Sequence, residues 1–174
     1  LYCGSEIENN RKFTRGDIIP FKPIIAEMEE VKIEQINYQL TWQIRHEVMY
    51  PDYPLDKIKL DNEEEGLHFG LFTGERLTSV ISLFWEKEVY QFRKFATLNN
   101  AQGKGYGSFL LQHVINVAGE RGATRLWCNA RLSAAPFYER FELVKVGQGY
   151  IKDNIDYVTM ELIYSLPSYC SFHK

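Results

Sequence analysis

Cysteine is scarce in this chain: three residues in 174, at Cys3, Cys128 and Cys170. An odd count at wide spacing builds neither a disulfide framework nor a metal knuckle, and a reducing, cytoplasmic setting fits it better than an oxidising one. A Cys3–Cys170 bridge between the two ends stays open. Excess positive charge is also missing. Twenty Lys and Arg stand against 23 Asp and Glu, a formal net charge of −3, so no broad basic field exists to release counterions from nucleic acid. No run of about 18 apolar residues is present, and no charged-then-apolar leader opens the sequence. A membrane partner and secretion are therefore not expected. Repeats, low-complexity segments, His/Cys/Asp clusters at metal spacing and a Ser-His-Asp set are all absent. What remains is ordinary for one soluble domain, 45% hydrophobic and 25% charged. A chain of this length can bury roughly 70% of its unfolded surface.

The first 30 residues carry Gly4, Gly16, Pro20 and Pro23 without a clear period. They read as an N-terminal extension, with a strand near Ile18-Ile19, ahead of a domain over 31–174. Val31 to Ile36 alternates like a short strand. Leu40, Ile44 and Val48 fall at helical spacing, and Pro51 and Pro54 end that helix. Asp56 to Gly66 reads as a polar, acidic loop or short solvated helix. A β-hairpin follows, Leu67–Phe72 and Leu77–Trp85 about a Thr73-Gly74-Glu75-Arg76 turn. The next strand runs from Val89 to Thr97. Tyr90 and Phe92 share one face but Phe95 falls on the other, so a bulge is expected near Arg93-Lys94, or burial of both faces. An amphipathic helix over Ser108–Glu120 is stopped by Gly122. Then come a strand over Arg125–Ala130, a short helix over Ala134–Phe141 capped by Ser133, and two strands, Leu143–Tyr150 and Tyr157–Tyr164. This order describes an α/β sheet with mixed pairing and helical crossovers.

The most informative stretch is Gln102-Gly103-Lys104-Gly105-Tyr106-Gly107-Ser108. It lies between a strand and a helix. Alternating glycines let a ligand approach the backbone closely, and the helix entrance leaves unpaired N–H groups where the dipole is positive. Phosphate or pyrophosphate is the usual guest. The spacing G-x-G-x-G is neither the dinucleotide fingerprint nor a P-loop.

A second motif follows at Asn129-Ala-Arg-Leu-Ser-Ala-Ala-Pro-Phe-Tyr138-Glu-Arg-Phe141. With both motifs in this order, residues 31–164 resemble the GNAT N-acetyltransferase family. Gln102, Gly105 and Gly107 fit the family's glycine-loop signature, and Phe137-Tyr138-Glu139-Arg140 its later one. The resemblance implies a mixed central sheet of about 6–7 strands flanked by helices, with a splay between the fourth and fifth strands. It implies acetyl-CoA as cosubstrate and no metal. Gly103, Gly105 and Gly107 would cradle the pyrophosphate, with charge from Lys104 and a hydroxyl from Ser108, and Gln102, Tyr106 and Phe137 would also belong to the cofactor site. Phe95, Ala96 and Thr97 would pair their backbone with the pantetheine arm, and a backbone N–H there would polarise the thioester carbonyl. Tyr138 would be general acid to the leaving thiolate, beside Phe137. Asn129 would hydrogen-bond cofactor or substrate.

The implied reaction is direct attack of a primary amine on the thioester in a ternary complex. The acceptor would be a small-molecule or peptide amine, and a homodimer is compatible with the reading. No general base stands out among Glu86, Glu88, His46 and His68, and water can serve, since positioning alone lowers the barrier. The acidic 61–65 segment could draw in a cationic amine, though a solvated charge run explains it as well. Two other readings remain open: a non-catalytic acyl-CoA sensor, and a binder of another phosphate ligand such as a nucleotide. One departure from the family pattern is Glu142-Leu143 where Gly-Phe is usual, which bears on the loop after the Tyr138 helix.

Overall fold

The computed structural model describes residues 30–164. The strand expected near Ile18-Ile19 and the Cys3–Cys170 bridge lie outside them. Among the described residues seven strands form one sheet: β1 (Val31–Gln35), β2 (Leu67–Thr73), β3 (Arg76–Glu86), β4 (Val89–Thr97), β5 (Arg125–Arg131), β6 (Val144–Lys152) and β7 (Ile155–Ile163). Their spatial order is β1-β2-β3-β4-β5-β7-β6. Only β4 and β5 pair in parallel, because the helix α2 (Tyr106–Glu120) carries the chain from one to the other. Helices α1 (Thr41–Met49) and α3 (Ala135–Glu139) complete the fold.

Each element follows from local chemistry. β2 and β3 turn at Gly74-Glu75, with Gly74 at φ +56°. β6 and β7 turn at Asp153-Asn154, both left-handed, as a two-residue hairpin that matches strand twist requires. Gly122 at φ +83° ends α2. α1 stops at Met49, before Pro51. Ser133 does not cap α3. It lies inside a 3-10 turn (Leu132–Ala134), Ala134 is the cap residue and makes no side-chain bond, and Pro136 sits in the first turn, where its missing N–H costs nothing. Glu142 adopts φ +64°, so this chain holds with a glutamate a left-handed conformation that glycine takes freely.

The sheet is covered on both faces. On one, Leu110, Leu111, Val114 and Ala118 of α2 pack on Leu83, Phe92, Leu126 and Met160, all buried. On the other, Ile44 of α1 packs on Val80, Ala96 and Leu98. The expected bulge is present: Ser82 opposes Arg93 while Val80 opposes Ala96, and Lys94 takes φ +53°. That extra residue turns Phe95 toward the α2 face, where it packs on Phe137, while Ala96 joins the α1 face.

The acidic 56–66 segment is not wholly solvated. Glu63 is 5% exposed and pairs with Arg45 of α1, which is fully buried. Glu63 also accepts from Trp42 Nε1 at 2.7 Å. Arg45 donates to Ser82 Oγ at 2.5 Å, and Ser82 Oγ lies 2.7 Å from His68 Nδ1. His68 Nε2 lies 2.7 Å from the Glu63 carbonyl. A carbonyl only accepts, so Nε2 carries the proton and Nδ1 accepts from Ser82. The result is a neutral histidine inside a closed polar network. Burial lowers its pKa, with the Arg45 charge acting in the same direction.

Candidate functional site

The parallel strands β4 and β5 stay together for only three residue pairs, Val89–Arg125, Tyr90–Leu126 and Gln91–Trp127. Beyond these the chains part. β4 from Phe92 to Thr97 and β5 from Cys128 to Arg131 then face each other across a gap, each still bonded to its outer neighbour. A backbone edge exposed in this way offers N–H and C=O groups to an extended ligand. The gap opens into a cleft of about 740 Å³.

The glycine loop closes one end of the cleft. Gly103 and Gly105 have φ of +75° and +89°, and a Cβ on either would meet nothing within 4 Å. Conformation, not space, calls for glycine at these two positions. Gly107 differs: its Cβ would lie 3.2 Å from Thr97 Oγ1 and 3.3 Å from Phe95 Cζ, so the first turn of α2 sits directly against the end of β4. Gly105 is the cap residue of α2 and makes no side-chain cap hydrogen bond. The leading N–H groups therefore stand at the cleft mouth with the positive end of a 15-residue helix behind them. Gln102 anchors the loop by donating to the Thr97 carbonyl at 3.0 Å and to Asn99 Oδ1 at 3.1 Å. Ser108 is buried and accepts from Arg140 at 3.3 Å.

Most sequence-selected residues meet here. Phe95, Ala96, Thr97, Gln102, Gly103, Gly105, Tyr106, Gly107, Ser108, Asn129, Phe137 and Tyr138 all line the cleft. Lys104 does not. It borders a neighbouring recess of about 270 Å³ with Thr73, Arg76 and Thr78. Tyr138 is half-buried, its ring 5.8 Å from Phe92 and 5.2 Å from Phe137. Burial raises its pKa well above the usual phenol value, and Cys128 adds to the shift, so the phenol keeps its proton at neutral pH. Asn129 is exposed and accepts from Thr159 Oγ1 at 3.2 Å.

The four base candidates fall elsewhere: none lines the cleft. His68 is locked in the network above. His46 Nε2 bonds the Tyr53 carbonyl at 2.7 Å. Glu86 and Glu88 flank the β3–β4 turn, at the far end of β4. Among the described residues no group of His, Cys, Asp and Glu is placed to hold a metal ion, and no helix is long and apolar enough to cross a membrane.

Sequence reading missed several lining residues: Val48 and Met49 at the end of α1, Arg93 and Lys94 in the bulge, and Arg131, Arg140 and Tyr157. The bulge was the available signal for the first pair of cations. Arg131 was legible only as the second residue after Asn129, on the same strand face.

A split parallel strand pair, a capless helix entrance and a phenol beside the gap thus meet in one cleft. Comparison with known proteins then gives the family. The profile of the acetyltransferase (GNAT) domain matches residues 28–164, and the chain belongs to the GNAT acetyltransferase family. It is 28% identical over 129 residues to an uncharacterized N-acetyltransferase, YitI, of Bacillus subtilis (strain 168), covering 69% of this chain and 87% of that one. In fold it is similar to the ribosomal-protein-S18-alanine N-acetyltransferase of Escherichia coli, with a TM-score of 0.71 at 17% identity, over 83% of this chain and all of that one. A GNAT family acetyltransferase from Elizabethkingia anophelis, solved with acetyl-CoA bound, matches at a TM-score of 0.62 and 13% identity, over 77% and 98% of the two chains.

Proposed function

We propose that this protein is an acetyl-CoA-dependent N-acetyltransferase acting on a primary amine by direct attack within a ternary complex. The observation that carries this reading is the glycine-loop entrance of α2 set against the unpaired edges of β4 and β5 in one cleft. The first N–H groups of α2 suit a diphosphate, and the parted strand edges suit the amide-bearing pantetheine arm. Acetyl-CoA supplies the acyl group already activated as a thioester. The chain's part is to hold the amine and thioester together, which alone removes much of the barrier. A backbone N–H of β4 near Phe95 would stabilise charge developing on the carbonyl oxygen. As the C–N bond forms and the C–S bond breaks, Tyr138 gives its proton to the departing sulfur. The amine's own proton passes to water, which returns one to the Tyr138 phenolate, since among the described residues no Asp, Glu or His lines the cleft.

The test is thiol release by the wild type and by Tyr138→Phe, with acetyl-CoA affinity measured in parallel. Loss of a general acid costs about 10²- to 10⁴-fold in kcat, and acetyl-CoA binding should change little. An unchanged rate in Tyr138→Phe would remove the proton-donor role. No thiol release with any amine, despite acetyl-CoA binding, would favour the sensor reading. Tighter binding of ATP or NAD than of acetyl-CoA would replace both.

A further inference from the structure

The charge lining the cleft is one-sided. Arg93, Lys94, Arg131 and Arg140 line it, and no Asp or Glu does, although acidic residues outnumber basic ones in the chain. Among the described residues none of the four forms an ion pair. Arg93 donates only to Gln91 Oε1, at 2.6 Å, and lies over the Phe84 ring. Lys94 donates to the Tyr50 hydroxyl at 3.1 Å. Among the described residues all four cations that line the cleft are therefore left without a counter-charge.

Their positions divide them. Arg140 reaches Ser108 in the first turn of α2 and so stands by the glycine loop, the place for a cofactor phosphate. The other three lie on the opposite side of the sheet. Leu126, Cys128 and Ala130 of β5 are in the core under α2, so alternation sends Asn129 and Arg131 to the α1 face. Lys94 meets Tyr50, just beyond α1. On the α2 face, Phe137 and Tyr138 pack against the core at the split. An amine entering from the α1 face would pass Arg93, Lys94 and Arg131.

We infer that the acceptor is a small primary amine that also bears an anionic oxygen group, a carboxylate or a phosphate, received by Arg93, Lys94 and Arg131 on the α1 side of the cleft. Guanidinium forks bind such groups through two parallel hydrogen bonds. The inference rests on the acyltransferase reading and gives it a substrate class. It also sets aside the cationic amine that the 61–65 segment could attract, because that segment does not line the cleft and Glu63 is taken by Arg45.

The experiment is thiol release from acetyl-CoA with matched amines: amino acids against their amides, O-phosphoethanolamine against ethanolamine, and spermidine as a cation. The full chain is used throughout, with acetyl-CoA binding followed by thermal shift. Expected is a kcat/KM about 10- to 100-fold higher for the anionic member of one pair type, which separates carboxylate from phosphate. Arg131→Gln should collapse that preference by about tenfold or more. Lys32→Gln, which removes an equal charge from the edge strand β1 outside the cleft, should leave the preference in place. Equal rates within every pair, spermidine as best acceptor, or a preference untouched by Arg131→Gln would each overturn the inference. Binding of acetyl-CoA without turnover of any amine would also overturn it, whereas failure to bind acetyl-CoA would sink the acyltransferase reading beneath it.

Discussion

Replacing Arg45 with Met takes a fully buried guanidinium out of the network that joins α1 to β2 and β3. Glu63, 5% exposed, would lose its ion-pair partner and keep only the Trp42 indole as a side-chain donor. Ser82 Oγ would lose one donor. Breaking a buried pair in this way costs about 3–5 kcal/mol, a large share of the roughly 5–15 kcal/mol that holds a domain of this kind together. At about 2–4 °C per kcal/mol for this size, Tm should fall by roughly 6–20 °C. Arg45→Lys keeps the charge but not the fork, so its loss should be intermediate. Removing both charges, Arg45→Met with Glu63→Gln, should cost less than the sum of the two single changes, with a coupling of about 0.5–3 kcal/mol. Urea unfolding of the four variants supplies these numbers. A loss under about 1 kcal/mol for Arg45→Met, or additivity of the two changes, would refute the reasoning. The Nε atom of Arg45 has no hydrogen-bond partner among the described residues, so the site already carries some cost of burial.

Glu142→Gly should raise stability by about 0.5–1 kcal/mol, because glycine adopts the φ of +64° without a Cβ penalty; a fall in Tm would show that the Glu142 side chain contributes something the strain argument omits. Stability should drop as pH is lowered through the ordinary histidine value of 6.5, since burial holds His68, and His113 with it, below that value in the folded state. The unfolded chain then takes up protons that the folded chain refuses. Urea midpoints at pH 7.5 and 5 should show the drop, and a smaller one in His68→Gln; an equal drop in that variant would shift the cause to other groups.

Much of the fold was legible because its signals are local. β4 runs from Val89 to Thr97 as the alternation says, and the parity slip at Phe95 marks the bulge. The glycine loop was legible as a strand-to-helix turn because φ above zero at Gly103 and Gly105 favours glycine. The Arg45–Glu63 pair was invisible because its partners are 18 residues apart and Glu63 sits in an acidic run that looks solvated. Only the docking of α1 on the sheet separates Glu63 from Glu64 and Glu65, which stay exposed. Ser133 misled because cap chemistry at α3 is set by the preceding 3-10 turn and Pro136. The cationic lining escaped for a similar reason: Arg93, Lys94 and Arg131 come from two strands whose relation depends on where they part.

A calorimetric titration of acetyl-CoA into the wild type and into Gly107→Val tests the proposed acetyl-CoA cleft most directly. A Cβ at 107 meets Thr97 and Phe95 within 3.3 Å, so a branched side chain must push the first turn of α2 away from β4. The account predicts binding of one acetyl-CoA by the wild type and at least about tenfold weaker binding by Gly107→Val, a loss of about 1.4 kcal/mol. No binding by the wild type at millimolar concentration, or equal affinity in a folded Gly107→Val, would contradict it.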